Sequence, residues 1–205
     1  MSEPAVRWGV LLAGGRARRI GGGDKGARIL AGRPLLRHVV DRIRPQLAGG
    51  LLINANGDPA RFADLGLPVI CDSVADAGPL AGILAGLDWL ARHQPGEAWL
   101  ISVPVDCPFL PRDLVARLTA AREAAGAELA CAASGGRRHP VVALWPVAMR
   151  AALRTALVDE EMRKVERWSA RFIRAEADYA APIDPFFNVN SAADLAEAER
   201  LSPLL

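Results

Sequence analysis

The residues best suited to chemistry gather first in the segment Leu12-Ala13-Gly14-Gly15-Arg16-Ala17-Arg18-Arg19-Ile20-Gly21-Gly22-Gly23-Asp24-Lys25-Gly26. Six glycines fall between Ala13 and Gly26. Glycine permits positive φ and lets backbone N–H groups approach phosphate oxygens with no Cβ in the way. Arg19 adds a planar fork of donors and Lys25 a point charge. The chemistry on offer is a cradle for a triphosphate; the bland alternative is a flexible loop with solvated charges. Two familiar phosphate motifs do not account for it. Gly21-x-Gly23-x-x-Gly26 matches the dinucleotide fingerprint in letters but lacks a strand directly before it. Asp24-Lys25-Gly26 lacks the Ser or Thr that a P-loop places after its lysine.

Other chemistry-bearing side chains follow apolar runs. Asp106 comes just after Leu100-Ile101-Ser102-Val103, between Pro104 and Pro108. Magnesium takes oxygen ligands and needs only one or two carboxylates beside substrate phosphates, a role Asp106 fits. A turn aspartate capping backbone amides is the structural alternative. Asp72 follows Val69-Ile70-Cys71 and is suited to ribose, base or metal, or to opening a turn. Asn54 and Asn56 follow Leu51-Leu52-Ile53 and offer both donor and acceptor, as reading a base or ribose requires. Gly78-Pro79-Leu80-Ala81-Gly82 opens a helix with small residues, which would let a flat ring approach the backbone. Late in the chain, Arg137-Arg138-His139-Pro140 and Asn188-Val189-Asn190 are candidates for holding a second, phosphate-bearing molecule. A lone histidine such as His139 is more often structural than functional, and its chemistry alone assigns it no role.

These residues need elements to position them. Val6–Leu12 reads as a buried strand running straight into the glycine loop. Pro34 suits a first helical turn, with an amphipathic stretch to Leu47. Short strands are predicted at 51–53, 67–71, 98–103, 128–132 and 141–145, and helices over 80–92, after Pro111 and Asp113, and over 147–168 with a break. Ser191-Ala192-Ala193-Asp194 resembles a capping box before a last helix. Strands alternating with helices predict an α/β fold, a mostly parallel sheet with helices on both faces. In such sheets ligands bind beyond the carboxyl ends of the strands, where most of the residues above fall.

Composition bounds the rest. At 205 residues, one domain spanning 1–205 is expected, and a hydrophobic content of 51% excludes a disordered chain. No apolar run approaches the roughly 20 residues that span a bilayer. No secretion signal is discernible, and Cys71, Cys107 and Cys131 lack the spacing of a disulfide framework or zinc site. A cytoplasmic location is the expectation. Residues 1–50 hold ten Lys and Arg against three Asp and Glu, whereas the remainder holds fifteen against twenty. The positive end thus coincides with the glycine loop and suits a small polyanion. No basic run interleaved with aromatics points to a nucleic acid partner.

Taken together the segments resemble the molybdenum cofactor guanylyltransferase (MobA) family. LAGG at Leu12 to Gly15, RRIGGGDKG at Arg18 to Gly26, NAN at Asn54 to Asn56 and VICD ending at Asp72 come first. GPLAG at Gly78 to Gly82, PVDCPFL at Pro104 to Leu110, HP at His139-Pro140 and NVN at Asn188 to Asn190 follow in the family's order. One departure is Ile20, where the family often has Met. The resemblance implies a Rossmann-like three-layer sandwich that uses GTP and Mg2+ to attach GMP to the terminal phosphate of molybdopterin, releasing pyrophosphate. It implies nucleotide contacts at Leu12, Ala13, Gly14, Gly15, Lys25, Asn54, Asp72, Gly78, Pro79, Leu80 and Asp106. Lys25, Arg19 and Asp106 would serve catalysis, Asp106 would hold the metal, and His139, Asn188 and Asn190 would face the acceptor. Transient contact with cofactor-biosynthesis or recipient enzymes is a further implication. The rivals are a relative using CTP or a sugar phosphate, and a nucleotide-binding protein without catalysis.

Overall fold

The structure is a computed structural model that describes residues 6–14, 25–94, 96–180 and 183–205. In chain order it contains β1 (Val6–Leu12), β2 (Ile29–Leu30), β3 (Arg33–Pro34), α1 (Leu35–Ile43), β4 (Gly50–Asn54), β5 (Val69–Ile70) and α2 (Pro79–His93). There follow β6 (Ala98–Pro104), α3 (Leu114–Ala125), β7 (Leu129–Ser134), β8 (Arg137–Pro146), α4 (Arg150–Val158), α5 (Val165–Ser169), β9 (Arg174–Tyr179) and α6 (Ala192–Leu201). Seven strands form one sheet in the order β5-β4-β1-β6-β8-β7-β9, and β2 and β3 form a small separate hairpin. β5, β4, β1 and β6 run parallel, β8 is antiparallel to both its neighbours, and β9 is parallel to β7. The mostly parallel α/β sheet predicted from the alternation is therefore present.

Helices cover both faces, each over its own core. On one face Leu36, Val39, Val40 and Ile43 of α1 and Leu114, Val115 and Leu118 of α3 pack on Leu11, Ile53, Ile101 and Ala130. On the other, Leu80, Ile83, Leu84 and Leu87 of α2 and Leu153, Ala156 and Leu157 of α4 pack on Val10, Leu52, Leu100 and Trp145. The odd and even residues of β1 and β4 thus feed opposite cores, as strand alternation requires. α1 buries its 35/36, 39/40 and 43 stripe and turns Arg37 and Asp41 outward, the pattern of a helix lying on a sheet. Among the described residues no helix is long and apolar enough to cross a membrane.

The parallel strands end in register. Leu12 stands opposite Asn54 on one side and Pro104 on the other, and Asn54 stands opposite Ile70. After β1 the chain moves outward to β4 and β5, then returns to the far side of β1 as β6. That reversal opens a crevice at the carboxyl edge of β1, the place where open α/β sheets bind ligands.

Some details differ from the sequence expectation. The 147–168 stretch is a short 3-10 turn, α4 and α5, with Glu161 at φ 50 in the break. β9 was not expected. β7 and β8 join through Gly135 and Gly136, both at positive φ, the geometry a two-residue hairpin loop demands. The capping box at Ser191 and Asp194 forms as expected.

Candidate active site

Three strand ends and one late loop converge on the crevice. Lys25, at the exit of the glycine segment, places Nζ 2.6 Å from Asn190 Oδ1 and 3.3 Å from Asp106 Oδ2. One ammonium group therefore joins Asp106 to Asn190, the latter 165 positions from Lys25 itself. Asp106 follows β6 and is 8% exposed. Its backbone carbonyl accepts from Val189 N–H at 2.9 Å, which ties the 188–190 segment to the end of β6. Its Oδ1 is buried and has no hydrogen-bond partner among the described residues. A buried, unsatisfied carboxylate oxygen is costly unless a partner completes it. A hard divalent cation is the partner whose chemistry fits an oxygen of this kind. Among the described residues no cluster of three or more His, Cys, Asp or Glu is present. Asp106 would thus hold such a cation with substrate phosphates supplying further oxygens.

A second group lies at the ends of β4 and β5. Asn54 is 3% exposed. Its Nδ2 donates to Asp72 Oδ1 at 2.9 Å and, more weakly, to the Ile70 carbonyl at 3.4 Å. Asn56 Nδ2 donates to Asp72 Oδ2 at 2.7 Å, and Asp72 N–H returns a bond to Asn56 Oδ1 at 3.0 Å. Asp72 is therefore the clamp that locks both asparagine amides. Ala13 N–H donates to the Asn54 carbonyl at 2.9 Å, so the first residue past β1 is fixed to the same unit. Ser73 Oγ donates to Asp88 Oδ2 at 3.0 Å. The nearly buried Asp88 also pairs with Arg150 and Arg154 of α4, which anchors the 71–78 loop to the helical layer.

The space beside Gly82 is already taken. A Cβ there would stand 2.6 Å from Leu12 Cδ2 and 2.8 Å from Asn54 Cγ. The small residue lets α2 pack onto the Asn54 amide, and the expectation that it clears room for a flat ring is replaced by that closer cause. Gly78 precedes α2 at φ 63 and ψ −151, a conformation natural to glycine. Pro79 and Leu80 form the first turn behind it, Leu80 fully buried.

The late residues form the third group. His139 lies near the start of β8, opposite Ala132 of β7. Its Nε2 is 2.8 Å from Ser134 Oγ, and Ser134 donates to Asp184 Oδ1 at 2.8 Å. Burial lowers the His139 pKa below its usual value, with Arg137 adding to this and Asp184 opposing it. Asn188 Nδ2 donates to the Phe186 carbonyl at 3.1 Å, and its Oδ1 lies 3.2 Å from the Cys107 thiol. Burial, then the charges of Asp106 and Asp184, push that thiol's pKa well up, so Cys107 acts as a neutral donor. Arg138 is engaged by Glu176 and Glu166 on the surface.

The structure thus brings together Leu12, Ala13, Gly14, Lys25, Asn54, Asp72, Asp106, Asn188 and Asn190 around one edge of the sheet. Gly15 and Arg19 lie outside the described residues. Sequence reasoning did not single out Asp88, Ser134 or Asp184, and it left Cys107 unassigned. Asp184 stands four residues before Asn188, but an aspartate before proline reads as a turn. Beneath the site, Leu30, Leu35, Phe109, Val189 and Ala198 make a small third core. It ties the β2–β3 hairpin, the loop after Asp106 and α6 into one support.

A lysine and a nearly buried carboxylate paired at the reversal point of a mostly parallel sheet fit one class: this is a Rossmann-like nucleotidyltransferase. The chain belongs to the MobA-like NTP transferase domain family, whose model matches residues 9–175. It is 61% identical over 198 residues to a molybdenum cofactor guanylyltransferase of Bradyrhizobium sp. (strain ORS 278), covering 96% of this chain and 93% of that one. A protein of the same name from Rhodopseudomonas palustris (strain HaA2) is 56% identical, over 98% of this chain and 95% of the relative. The fold is similar to that of molybdopterin-guanine dinucleotide biosynthesis protein A from Archaeoglobus fulgidus. The TM-score is 0.75 at 23% identity, covering 97% of this chain and 100% of that one.

Proposed function

We propose that this chain, working as one domain, transfers GMP from GTP to the terminal phosphate of molybdopterin and releases pyrophosphate. The observation that carries this reading is the Lys25–Asp106–Asn190 triangle, where a nucleotide half and an acceptor half of the cleft meet. Leu12, Ala13, Gly14 and Gly15, with Asn54 and Gly78-Pro79-Leu80, hold the nucleotide, while Asp72 holds Asn54 and Asn56 in place. His139, Asn188 and Asn190 hold the acceptor. The names of relatives at 61% and 56% identity support the same substrates.

In the reaction an oxygen of the acceptor phosphate attacks the α-phosphorus of GTP in line. A new P–O bond forms as the bond to the β-phosphate bridging oxygen breaks, and pyrophosphate departs. The attacking phosphate is ionised at neutral pH, so no general base is required. The protein's task is to bring two anions together and offset their repulsion. Lys25 and Arg19 supply fixed positive charge to the phosphates. Asp106 is the residue to hold Mg2+, which when bound supplies further charge neutralisation. Lys25, tied to Asn190 on the acceptor side, sets the distance between the two halves. The setting is the cytoplasm, with cofactor-biosynthesis and recipient enzymes as transient partners.

The test is pyrophosphate release from each nucleoside triphosphate with molybdopterin as acceptor. Guanine offers O6 as acceptor beside N1–H and N2–H donors, and a base that leaves two such partners unmet loses roughly 30-fold or more. GTP should therefore exceed CTP and ATP in kcat/KM by at least that factor. Equal or better turnover of CTP would refute guanine selection.

A further inference from the structure

We propose that Asp184 and Ser134 form a hydrogen-bond relay that fixes the tautomer of His139, leaving Nδ1 to accept a ring N–H from the acceptor's heterocycle. The identity of that heterocycle as a pterin rests on the guanylyl-transfer reading; the relay itself does not.

Ser134 Oγ carries one proton and lies 2.8 Å from both Asp184 Oδ1 and His139 Nε2. A carboxylate only accepts, so the hydroxyl proton points to Asp184. The hydroxyl oxygen then accepts, and the proton between Ser134 and His139 belongs to Nε2. In a neutral imidazole this leaves Nδ1 with the lone pair. The ring is neutral near pH 7 because burial disfavours its charged form more than Asp184 favours it, and Arg137 opposes charge as well. Among the described residues Nδ1 has no hydrogen-bond partner, and it is not among the sealed polar atoms.

Position points the same way. β8 pairs with β6 only from Ser102↔Ala143 onward, so His139 lies beyond the end of that pairing, on the edge where β6 gives way to Asp106. The ring packs against Phe186 with centroids 4.7 Å apart, which holds its plane. Asp184 Oδ1 also accepts from Phe186 N–H at 2.9 Å. The Phe186 carbonyl in turn accepts from Asn188 and from the Cys107 thiol. One carboxylate oxygen therefore sets both the histidine and the start of the segment bearing Asn188 and Asn190. Asp184 and Ser134 are positioning residues, and His139 is the group that meets the acceptor.

The relay is read by 15N NMR of histidine-labelled full-length protein, with His139→Gln used for assignment. At pH 7.5 the native ring should show the neutral Nε2–H form, its proton slow to exchange with water; Ser134→Ala should lose that protection. In steady-state assays Ser134→Ala and Asp184→Ala should each raise the acceptor KM about 10-fold, the effect of one lost buried partner, with the GTP KM within about twofold. Asp184→Asn offers an amide oxygen in place of Oδ1 and should recover most of the loss, so it decides the matter if an alanine variant fails to fold. An Nδ1–H tautomer in the native protein overturns the relay. So does an unchanged acceptor KM in a folded Ser134→Ala protein, or an Asp184→Asn variant as impaired as Asp184→Ala. If the native protein releases no pyrophosphate from GTP and molybdopterin, guanylyl transfer is refuted instead, and the ring spectrum still decides the relay.

Discussion

Gly82→Ala isolates the packing that seats Asn54 at the carboxyl edge of the sheet. Inside a helix the exchange should by itself stabilise, by about 0.8–1 kcal/mol. Here the new methyl would stand 2.6 Å from Leu12 Cδ2 and 2.8 Å from Asn54 Cγ, where carbon pairs prefer about 3.5–4 Å. Asn54 cannot turn aside freely, because its amide is bonded to Asp72 and its backbone to Ala13. Overpacking costs about 1–3 kcal/mol, and losing the Asn54–Asp72 bond adds about 1–3 kcal/mol. Less the helix gain, the net loss is about 1–5 kcal/mol, centred near 3, or roughly 6–12 °C in Tm for a chain of this size. Gly86→Ala is the control: it has the same helix gain and is overpacked too, its methyl 2.7 Å from Leu100 Cδ2, but that side chain has no hydrogen bond to lose. Circular-dichroism melts of both variants, with titration of a fluorescent GTP analogue, provide the measurement. Gly82→Ala should melt lower than Gly86→Ala and bind the analogue more weakly. A Gly82→Ala protein as stable as Gly86→Ala, with unchanged affinity, would refute the claim that this glycine exists to seat Asn54.

Three other outcomes are expected. Asp106→Asn keeps the shape and removes the charge facing the phosphates, so turnover should fall at least ~100-fold; near-native turnover at saturating magnesium would sink the metal role. Lys25→Ala should weaken GTP binding far more than guanosine binding, since only the phosphates lose a partner, and isothermal titration of both ligands tests this. For His139, whose folded pKa lies below the usual 6.5, the unfolded chain takes up this proton first as pH falls. Stability from this group is therefore complete above about pH 6.5 and declines below it, down toward the folded pKa. His139→Gln should show a smaller drop in urea midpoint between pH 7.5 and 5.5 than the native protein, and an equal drop would contradict the partly buried neutral ring.

Strand periodicity made the parallel half of the sheet legible. Val10 and Leu52 against Leu11 and Ile53 alternate between two cores, and continuous apolar runs are what doubly covered strands look like. β9 escaped because Arg174-Ala175-Glu176-Ala177-Asp178-Tyr179 alternates with alanine, whose weak β propensity masks the buried face. The β2–β3 hairpin has two residues per strand, too few to show a period. Lys25, Asp106 and Asn190 were each visible as candidates, yet nothing local says that they touch. Their meeting depends on the small core of Leu30, Phe109, Val189 and Ala198, whose members are scattered over the chain. Gly82 was misread for the same reason: the sequence displays a missing side chain but not the neighbour that fills the gap.

That scattering has a consequence for synthesis. The Lys25–Asn190 bond spans 165 residues, and the Ala31–Glu199 bond, which pins the hairpin to α6, spans 168. Contacts of such sequence separation close the largest loops and come late in folding. Chains emerge from the ribosome amino end first, at about 5–20 residues per second. The strands β1, β4, β5 and β6 can pair on a nascent chain, but the triangle of Lys25, Asp106 and Asn190 cannot close until Asn190 has emerged. A chain stopped before Asn190 would therefore carry the joined edge of β1, β4, β5 and β6 while its Lys25 ammonium lacked the Asn190 half of its contacts.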